Sequence, residues 1–460
     1  MKSHLYDLVI HNGKVIDSDS IFIGDLGIDG EKIVAIGQGL SGRKAIDASE
    51  KYILPGGVDP HVHLEMPVGA TQSSDDWFTG TRAAACGGTT TVIDFVEPKI
   101  NESLGNALDA RRALAQSKSV VDFGLHMTIT RDDEKILCQI PKLCASGCTS
   151  FKTYLTYDGF RLSDTAFLNV LSEVQAVGGI VLVHAENDAI IKHIQRRFQN
   201  IKKTTPKYHA LSRPAIAESE AIQRSLAMAE VAGTRLYVVH VSTAMGVEAI
   251  QAARRRGVAA YGETCPHYLL LTDKDLSRSG FDGAKYVCSP PLRSGQDNMR
   301  LWEGLVNDDL QTVGTDHCPF FFKGQKDLGK DDYMKIPGGL PGIESRLALI
   351  HHYGVRSGKL SLNRWVQVCC TNPAKLFGLY PRKGSLEPAA DADLVIFDPN
   401  KNVTLTKPFL HEQVDYTPYE GFELYGYPTM TMLRGRVIYE NGVFLGAPGN
   451  GQYLSRLVGE

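Results

Sequence analysis

Between residues 53 and 316 the sequence repeats one unit eight times: an apolar, strand-like run, in most cases followed by a stretch with helical spacing. The runs are 53–63, 89–95, 120–126, 149–155, 179–185, 235–241, 257–263 and 310–316. They are close to continuously apolar rather than alternating. That is the pattern of strands buried on both faces, and strand–helix alternation supplies the helices that bury them. Residues 76–86, 107–116, 164–177, 218–232 and 245–255 carry the helical spacing and good helix formers. Eight parallel strands with crossover helices predict a (β/α)8 TIM barrel over residues 53–375. Two connections, 190–214 and 269–308, are long and are expected to be loops carrying site residues or assembly contacts.

The two ends of the chain have a different rhythm. Residues 5–11, 14–17, 21–28 and 32–36 read as short β segments, with Asn12-Gly13 and Asp29-Gly30 as hairpin turns. Residues 392–398 and 429–439 have the same character, with turns at Arg434-Gly435 and Asn441-Gly442. The expectation is one small β-sandwich built from residues 1–52 and 376–445, with 446–460 as a C-terminal tail.

Active sites of such barrels lie at the C-terminal ends of the strands, so the polar residues ending these runs matter most. The first run ends in His61-Val62-His63. Alternate strand residues share a face, so both imidazoles aim at one point, as a bidentate metal site needs. The fourth run carries Lys152, the fifth ends in His184, the sixth in His240 and the eighth in Asp316. A single buried histidine is usually a packing residue. Four histidines and an aspartate at the same end of the strands predict a metal centre.

Composition removes other classes. A net charge of −3 gives no electrostatic basis for a nucleic-acid partner. No apolar run reaches 18 residues and Met1 opens no signal peptide, so no membrane association is expected. The nine cysteines form no CxxC pair, which predicts a reducing, cytoplasmic setting rather than a disulfide framework. Cys265 and Cys318 lie near the candidate site, and small buried hydrophobes are the expected reading of both.

His61-Val62-His63, Lys152, His184, His240 and Asp316 together resemble the cyclic amidohydrolases, within them the hydantoinase/dihydropyrimidinase family. Other stretches carry the same resemblance along nearly the whole chain: Pro55-Gly56-Gly57-Val58-Asp59-Pro60, Cys86-Gly87-Gly88-Thr89, His184-Ala185-Glu186-Asn187, Ser212-Arg213-Pro214, Glu263-Thr264-Cys265-Pro266-His267, Ser289-Pro290-Pro291 and Gly314-Thr315-Asp316-His317-Cys318. The resemblance implies two divalent ions, zinc by the family pattern, bridged by N6-carboxylated Lys152. It assigns His61, His63 and Asp316 to one ion, and His184 and His240 to the other. It implies ring opening by a metal-bridging hydroxide, with Asp316 as the proton acceptor and donor and Tyr157 as the hydroxyl that stabilises the oxyanion. Ser289 and the Pro337-Gly338-Gly339 turn match the segments that hold the ring amide. The family usually has Asn where this chain has Gly338. A homotetramer is also implied, with the aromatic-rich region from Pro408 to Tyr453 packing across subunits.

The products would be N-carbamoyl amino acids from 5-substituted hydantoins or dihydropyrimidines. Dihydroorotases carry an arginine two positions after the second histidine of the pair, where this chain has Glu65. Allantoinases show Asn-Glu-Pro there, against Leu64-Glu65-Met66-Pro67 here. Met66, Val68, Phe95 and Phe160 are expected to wall the ring's exocyclic substituent. An allantoinase-like enzyme is the nearest alternative. A non-catalytic scaffold is the alternative from another class, disfavoured because every expected ligand is present.

Overall fold

The computed structural model describes residues 4–69 and 71–459. Among these, two large sheets organise the chain. The first is parallel, its strands neighbouring in chain order: Gly57–Val62, Thr89–Val96, Asp122–Thr128, Ser150–Tyr154, Ile180–His184, Arg235–Val238, Ala260–Thr264 and Thr312–Val313. Every residue of the first five is buried, which is why their sequences do not alternate. Helices Trp77–Cys86, Leu104–Lys118, Asp164–Ala176, Ala215–Ala232 and Ala244–Arg255 cover the outside. Ring closure between the first and last strands is largely polar. Asp59 accepts from Thr315 N at 3.1 Å and Thr315 Oγ1 at 2.6 Å. Fully buried Arg346 donates to Val58 O at 3.0 Å and Val313 O at 2.8 Å. A bridge joins Val62 to His317. This is the expected (β/α)8 barrel.

The second sheet takes nine strands from both chain ends. Leu5–Ile16 pairs antiparallel with Ile21–Asp29, and parallel with Ser41–Asp47 along one half and Tyr52–Pro55 along the other. Leu394–Thr404 docks on Tyr52–Pro55 and continues to Glu423–Leu433, Arg436–Glu440 and Val443–Phe444. Val15, Leu26, Ile53, Leu394 and Met432 belong to a core separate from that of the barrel, so the small β-sandwich forms from both ends as expected. The two bodies are joined through Lys383, whose buried ammonium contacts Asp122 of the barrel at 2.6 Å and Asp391 and Asp393 at 2.9 and 2.7 Å.

Several local expectations fail. Asn12-Gly13 is not a hairpin turn. Leu5–Ile16 runs straight through it with a bulge, where Asn12 adopts φ 62° and donates its backbone N–H to Asp25. The run 53–63 is two strands, one in each sheet, broken at Gly56, where a Cβ would lie 2.1 Å from Thr90 Oγ1. The connection 190–214 is mostly helical, Asp188–Asn200 and Lys207–Ser212, and 269–308 contains Gly295–Val306. Ile190, Ile191, Ile194 and Phe198 have the helical spacing that explains the former. The tail packs on its own barrel. Gln452 O accepts from Phe123 N at 3.0 Å, Leu454 N donates to Phe123 O at 2.8 Å, and Leu454 is fully buried.

Candidate active site

All six strand-end residues converge at one end of the barrel. His61 and His63 leave the first strand on the same face, their Nε2 atoms 3.2 Å apart. Asp316 Oδ1 lies 3.1 Å from each of them. His240 stands on the other side, its ring centroid 5.5 Å from that of His61 and 4.6 Å from that of His184. Lys152, 1% exposed, holds its Nζ 5.0 Å from the centres of both the Phe95 and Tyr154 rings. Asp316 and His240 both sit at positive φ, 49° and 41°. A left-handed backbone at a non-glycine residue costs free energy and persists where the surroundings over-determine it, as functional sites do.

This donor set fits a metal ion. His61 Nδ1 faces Glu263 Oε1 at 2.7 Å, and a neutral imidazole that donates there turns the lone pair of Nε2 toward His63 and Asp316. When both Nε2 atoms present lone pairs, a cation among these three atoms, 3.1–3.2 Å apart, satisfies all of them; without one, a proton on either Nε2 bonds it to Asp316. Donors around a tetrahedral ion at about 2.0–2.1 Å stand roughly 3.3 Å apart, close to the spacing seen. His240 Nδ1 is buried with no hydrogen-bond partner. Burial pulls His63, His184 and His240 below the usual imidazole range and keeps them in the neutral, lone-pair form. His61 differs. Burial opposes its charge, but the carboxylates of Glu263 and Asp316 outweigh burial and raise it to about 9. Burial lowers Lys152 to about 8, so roughly a tenth of it is free amine at pH 7, far more than for an ordinary lysine.

The supporting groups were not assigned roles from the sequence. Glu263 also accepts from Tyr237 OH at 2.8 Å and His240 N at 3.0 Å, so one carboxylate orients two of the histidine-bearing segments. Glu186 contacts His184 Nε2 at 2.7 Å and is ion-paired to buried Arg213. The Arg213 guanidinium lies 5.4 Å from the Tyr157 ring centre. These groups lie on strands and loops distant in sequence, and only the barrel brings them together.

A cavity of about 700 Å³ opens over the cluster. His61, His63, Lys152, His184, His240 and Asp316 form part of its lining, and Tyr157, Ser289 and Gly338 line it too. Met66, Val68 and Phe160 stand on its wall as expected, with Leu328 and Ile336 beside them. Phe95 does not. It is 3% exposed and stacks 4.8 Å from His63, supporting the histidine pair from below. Ala70, in the same loop as Met66 and Val68, lies outside the described residues. Cys265 is buried as expected, and Cys318, 4% exposed, contributes to the cavity lining. Gly338 has room for a side chain: the nearest atom to a Cβ there would be Ser289 Oγ, at 3.6 Å.

Another group with ligand-type atoms, Cys86, Glu344 and His411, has a different character. Glu344 already accepts from His411 N at 2.6 Å, His411 Nδ1 at 2.8 Å and Tyr427 OH at 3.2 Å. These bonds make it a latch between the barrel and the segment before Glu423.

Comparison with known proteins agrees with this geometry. The profile of the amidohydrolase family matches residues 52–438. The chain is 44% identical over 452 residues to a D-hydantoinase of Geobacillus stearothermophilus, covering 97% of this chain and 96% of that one. The structure of a dihydropyrimidinase from Brevibacillus agri NCHU1002 superposes with a TM-score of 0.97 at 42% identity, covering 98% of this chain and 99% of the other. An L-hydantoinase (dihydropyrimidinase) from Arthrobacter aurescens superposes with a TM-score of 0.90 at 33% identity, covering 98% and 100%. The chain belongs to the amidohydrolase family, and within it to the hydantoinase/dihydropyrimidinase group of cyclic amidohydrolases.

Proposed function

We propose that this chain hydrolyses the ring amide of 5-substituted hydantoins and of dihydropyrimidines, releasing N-carbamoyl amino acids. The observation that carries this is the convergence of His61 Nε2, His63 Nε2 and Asp316 Oδ1 beneath a cavity that also presents Tyr157, Ser289 and Gly338. His61, His63 and Asp316 would hold one divalent ion, and His184 and His240 a second. Lys152, carboxylated on Nζ, would bridge them. Its depressed basicity supports this, because CO₂ adds to the free amine. When bound, two zinc ions would polarise the ring carbonyl and bring the pKa of a water toward neutrality.

Asp316 presents Oδ1 to the histidine pair, which leaves Oδ2 to take a proton from the attacking water and return it to the ring nitrogen as the C–N bond breaks. Burial, opposed by Arg213, raises the Tyr157 hydroxyl to about 12, so it stays protonated near neutral pH and can donate to the oxygen that gains charge. Ser289 and the backbone at Gly338 hold the ring amide. Met66, Val68, Phe160, Leu328 and Ile336 favour aromatic or aliphatic substituents. We assign preference for the D hand, because the relative named for D substrates is 44% identical and the neighbour named for L substrates 33%.

The division into residues 1–52, 53–375, 376–445 and 446–460 describes the working parts, with Tyr52–Pro55 as the strand shared at the first boundary. The working assembly is a homotetramer. Exposed Ile201, Leu211 and Ile216, each half exposed or more, support burial against other copies. Nine free cysteines support a reducing cytoplasmic location, and no helix among the described residues is long and apolar enough to cross a membrane.

The test is ring opening of racemic 5-phenylhydantoin and of dihydrouracil by the metal-loaded protein, with chiral separation of the product. N-carbamoyl-D-phenylglycine is expected. Absence of ring opening on both substrates would contradict the function, and the L product would contradict only the assigned hand.

A further inference from the structure

Lys326 is fully buried in the loop region after the eighth strand, at the start of the short helix Lys326–Gly329. Its Nζ donates to two backbone carbonyls, Val287 O at 3.0 Å and Pro337 O at 3.1 Å. Among the described residues no carboxylate contributes to its electrostatic environment, and burial holds the ammonium down to about 7. A buried cation without a counter-ion is costly, and an apolar side chain of the same length would pack more cheaply. What Lys326 provides instead is a pair of directed N–H donors.

The two carbonyls have specific positions. Val287 stands two residues before Ser289, and Pro337 immediately before Gly338. Ser289 and Gly338 line opposite sides of one corner of the cavity. Gly339 N also donates to Val287 O at 2.9 Å, so one carbonyl is shared by the lysine and the opposite loop. From the other side His209 Nε2 donates to Cys288 O at 2.8 Å, but it reaches only one of the two loops. Gly339 N–H joins the two loops directly, and Lys326 is the side chain whose donors reach a carbonyl on each.

We infer that Lys326 is a positioning residue that clamps the 287–291 and 337–339 segments together and thereby sets the spacing of Ser289 and Gly338 for the ring amide. The inference rests on the proposed substrate class. It extends that reading by naming what fixes the contact. A misplacement of about 1 Å at such contacts can cost on the order of 10²-fold.

The experiment uses the full-length, metal-loaded enzyme carrying Lys326→Met, which keeps length and removes the donors, and Lys326→Gln, which keeps a shorter donor. KM for 5-phenylhydantoin should rise roughly 10–100-fold in Lys326→Met and less in Lys326→Gln, with kcat within about threefold and metal content equal to wild type. Hydrogen exchange read by mass spectrometry should speed up at 287–291 and 337–340, a readout that needs no substrate. It therefore remains informative if the wild-type protein opens no ring, which would fail the substrate reading alone. Wild-type exchange in both segments of folded Lys326→Met or Lys326→Gln would overturn the clamp. So would an equal fall in kcat and metal content with unchanged KM.

Discussion

The chemistry rests on individual atoms, and Asp316 is the most exposed to test. Its carboxyl lies well below the usual range: burial opposes this, and His61 and the hydrogen bonds from His61 and His63 outweigh it. In the account above one oxygen serves the cation and the other the proton. Asp316→Asn should therefore retain the fold and lower kcat by roughly 10²–10⁴-fold, measured by ring opening alongside circular dichroism. An effect under about tenfold would remove Asp316 from the proton transfers. Two adjacent glycines give a contrasting pair. A Cβ on Gly339, at φ 152°, would lie 2.3 Å from Cys318 O, whereas Gly338 has 3.6 Å of clearance. Gly338→Asn should melt within a few degrees of wild type yet change KM. Gly339→Ala should destabilise by about 1–3 kcal/mol. Equal melting points for the two variants would contradict this reading of the turn. At this scale the ligand-type residues were legible, because imidazoles and carboxylates at strand ends are rare enough to stand out. Glu263, Glu186 and Lys326 were not. Nothing in the residue type marks a buried acid as the partner of a histidine 202 positions away, or a lysine as a clamp on two carbonyls.

Among the elements, the junction between barrel and sandwich is where charge does structural work. Lys383 faces Asp122, Asp391 and Asp393, and removing it leaves three carboxylates buried without their shared cation. Lys383→Met should cost about 3–5 kcal/mol, read by thermal or chemical denaturation. A loss under about 1 kcal/mol would mean that Arg434, Arg382 and Lys32, which also pair with these carboxylates, hold the junction without it. Burial pushes the Asp391 carboxyl up, but Lys383 and the hydrogen bonds from Lys32 and Lys383 outweigh it and hold it at about 2. Unfolded aspartate titrates near about 3.9. The folded value is the lower of the two, so this contribution to stability is full above pH 4 and is lost as pH falls from about 4 through 2. Melting curves across that window should fall less steeply for Asp391→Asn than for wild type, and identical slopes would contradict the assignment. The periodic elements themselves were legible because burial on both faces leaves an unbroken apolar run. The errors came where one local signal has two outcomes. Asn12-Gly13 serves a bulge as readily as a hairpin, and the apolar run 53–63 hides a change of sheet at Gly56.

For the whole molecule, the tail and the assembly give separate tests. Residues 451–457 hydrogen-bond to the barrel of their own chain, including Gly451 N to Ser119 O at 2.9 Å and Arg456 N to Gly147 O at 3.1 Å. Deleting residues 446–460 should therefore lower the melting temperature of the subunit itself. A truncated protein that keeps its melting temperature but loses only its assembly would reverse that reading. Light scattering of the intact protein should give a mass near four times the 50.4 kDa of one chain. A fully active species at the mass of one chain would refute the tetramer. Assembly leaves little trace in a single sequence, because an exposed isoleucine such as Ile201 is ordinary by itself and acquires meaning only beside its neighbours in space.

The central claim is that strand-end residues from across the barrel form one two-ion centre bridged by Lys152. Elemental analysis of the purified protein, paired with its turnover of 5-phenylhydantoin, tests this most directly. Two divalent ions per chain are expected in wild type, with metal and turnover lost together in Lys152→Ala. Wild-type turnover by metal-free protein, or a Lys152→Ala variant that keeps both ions and full activity, would contradict it.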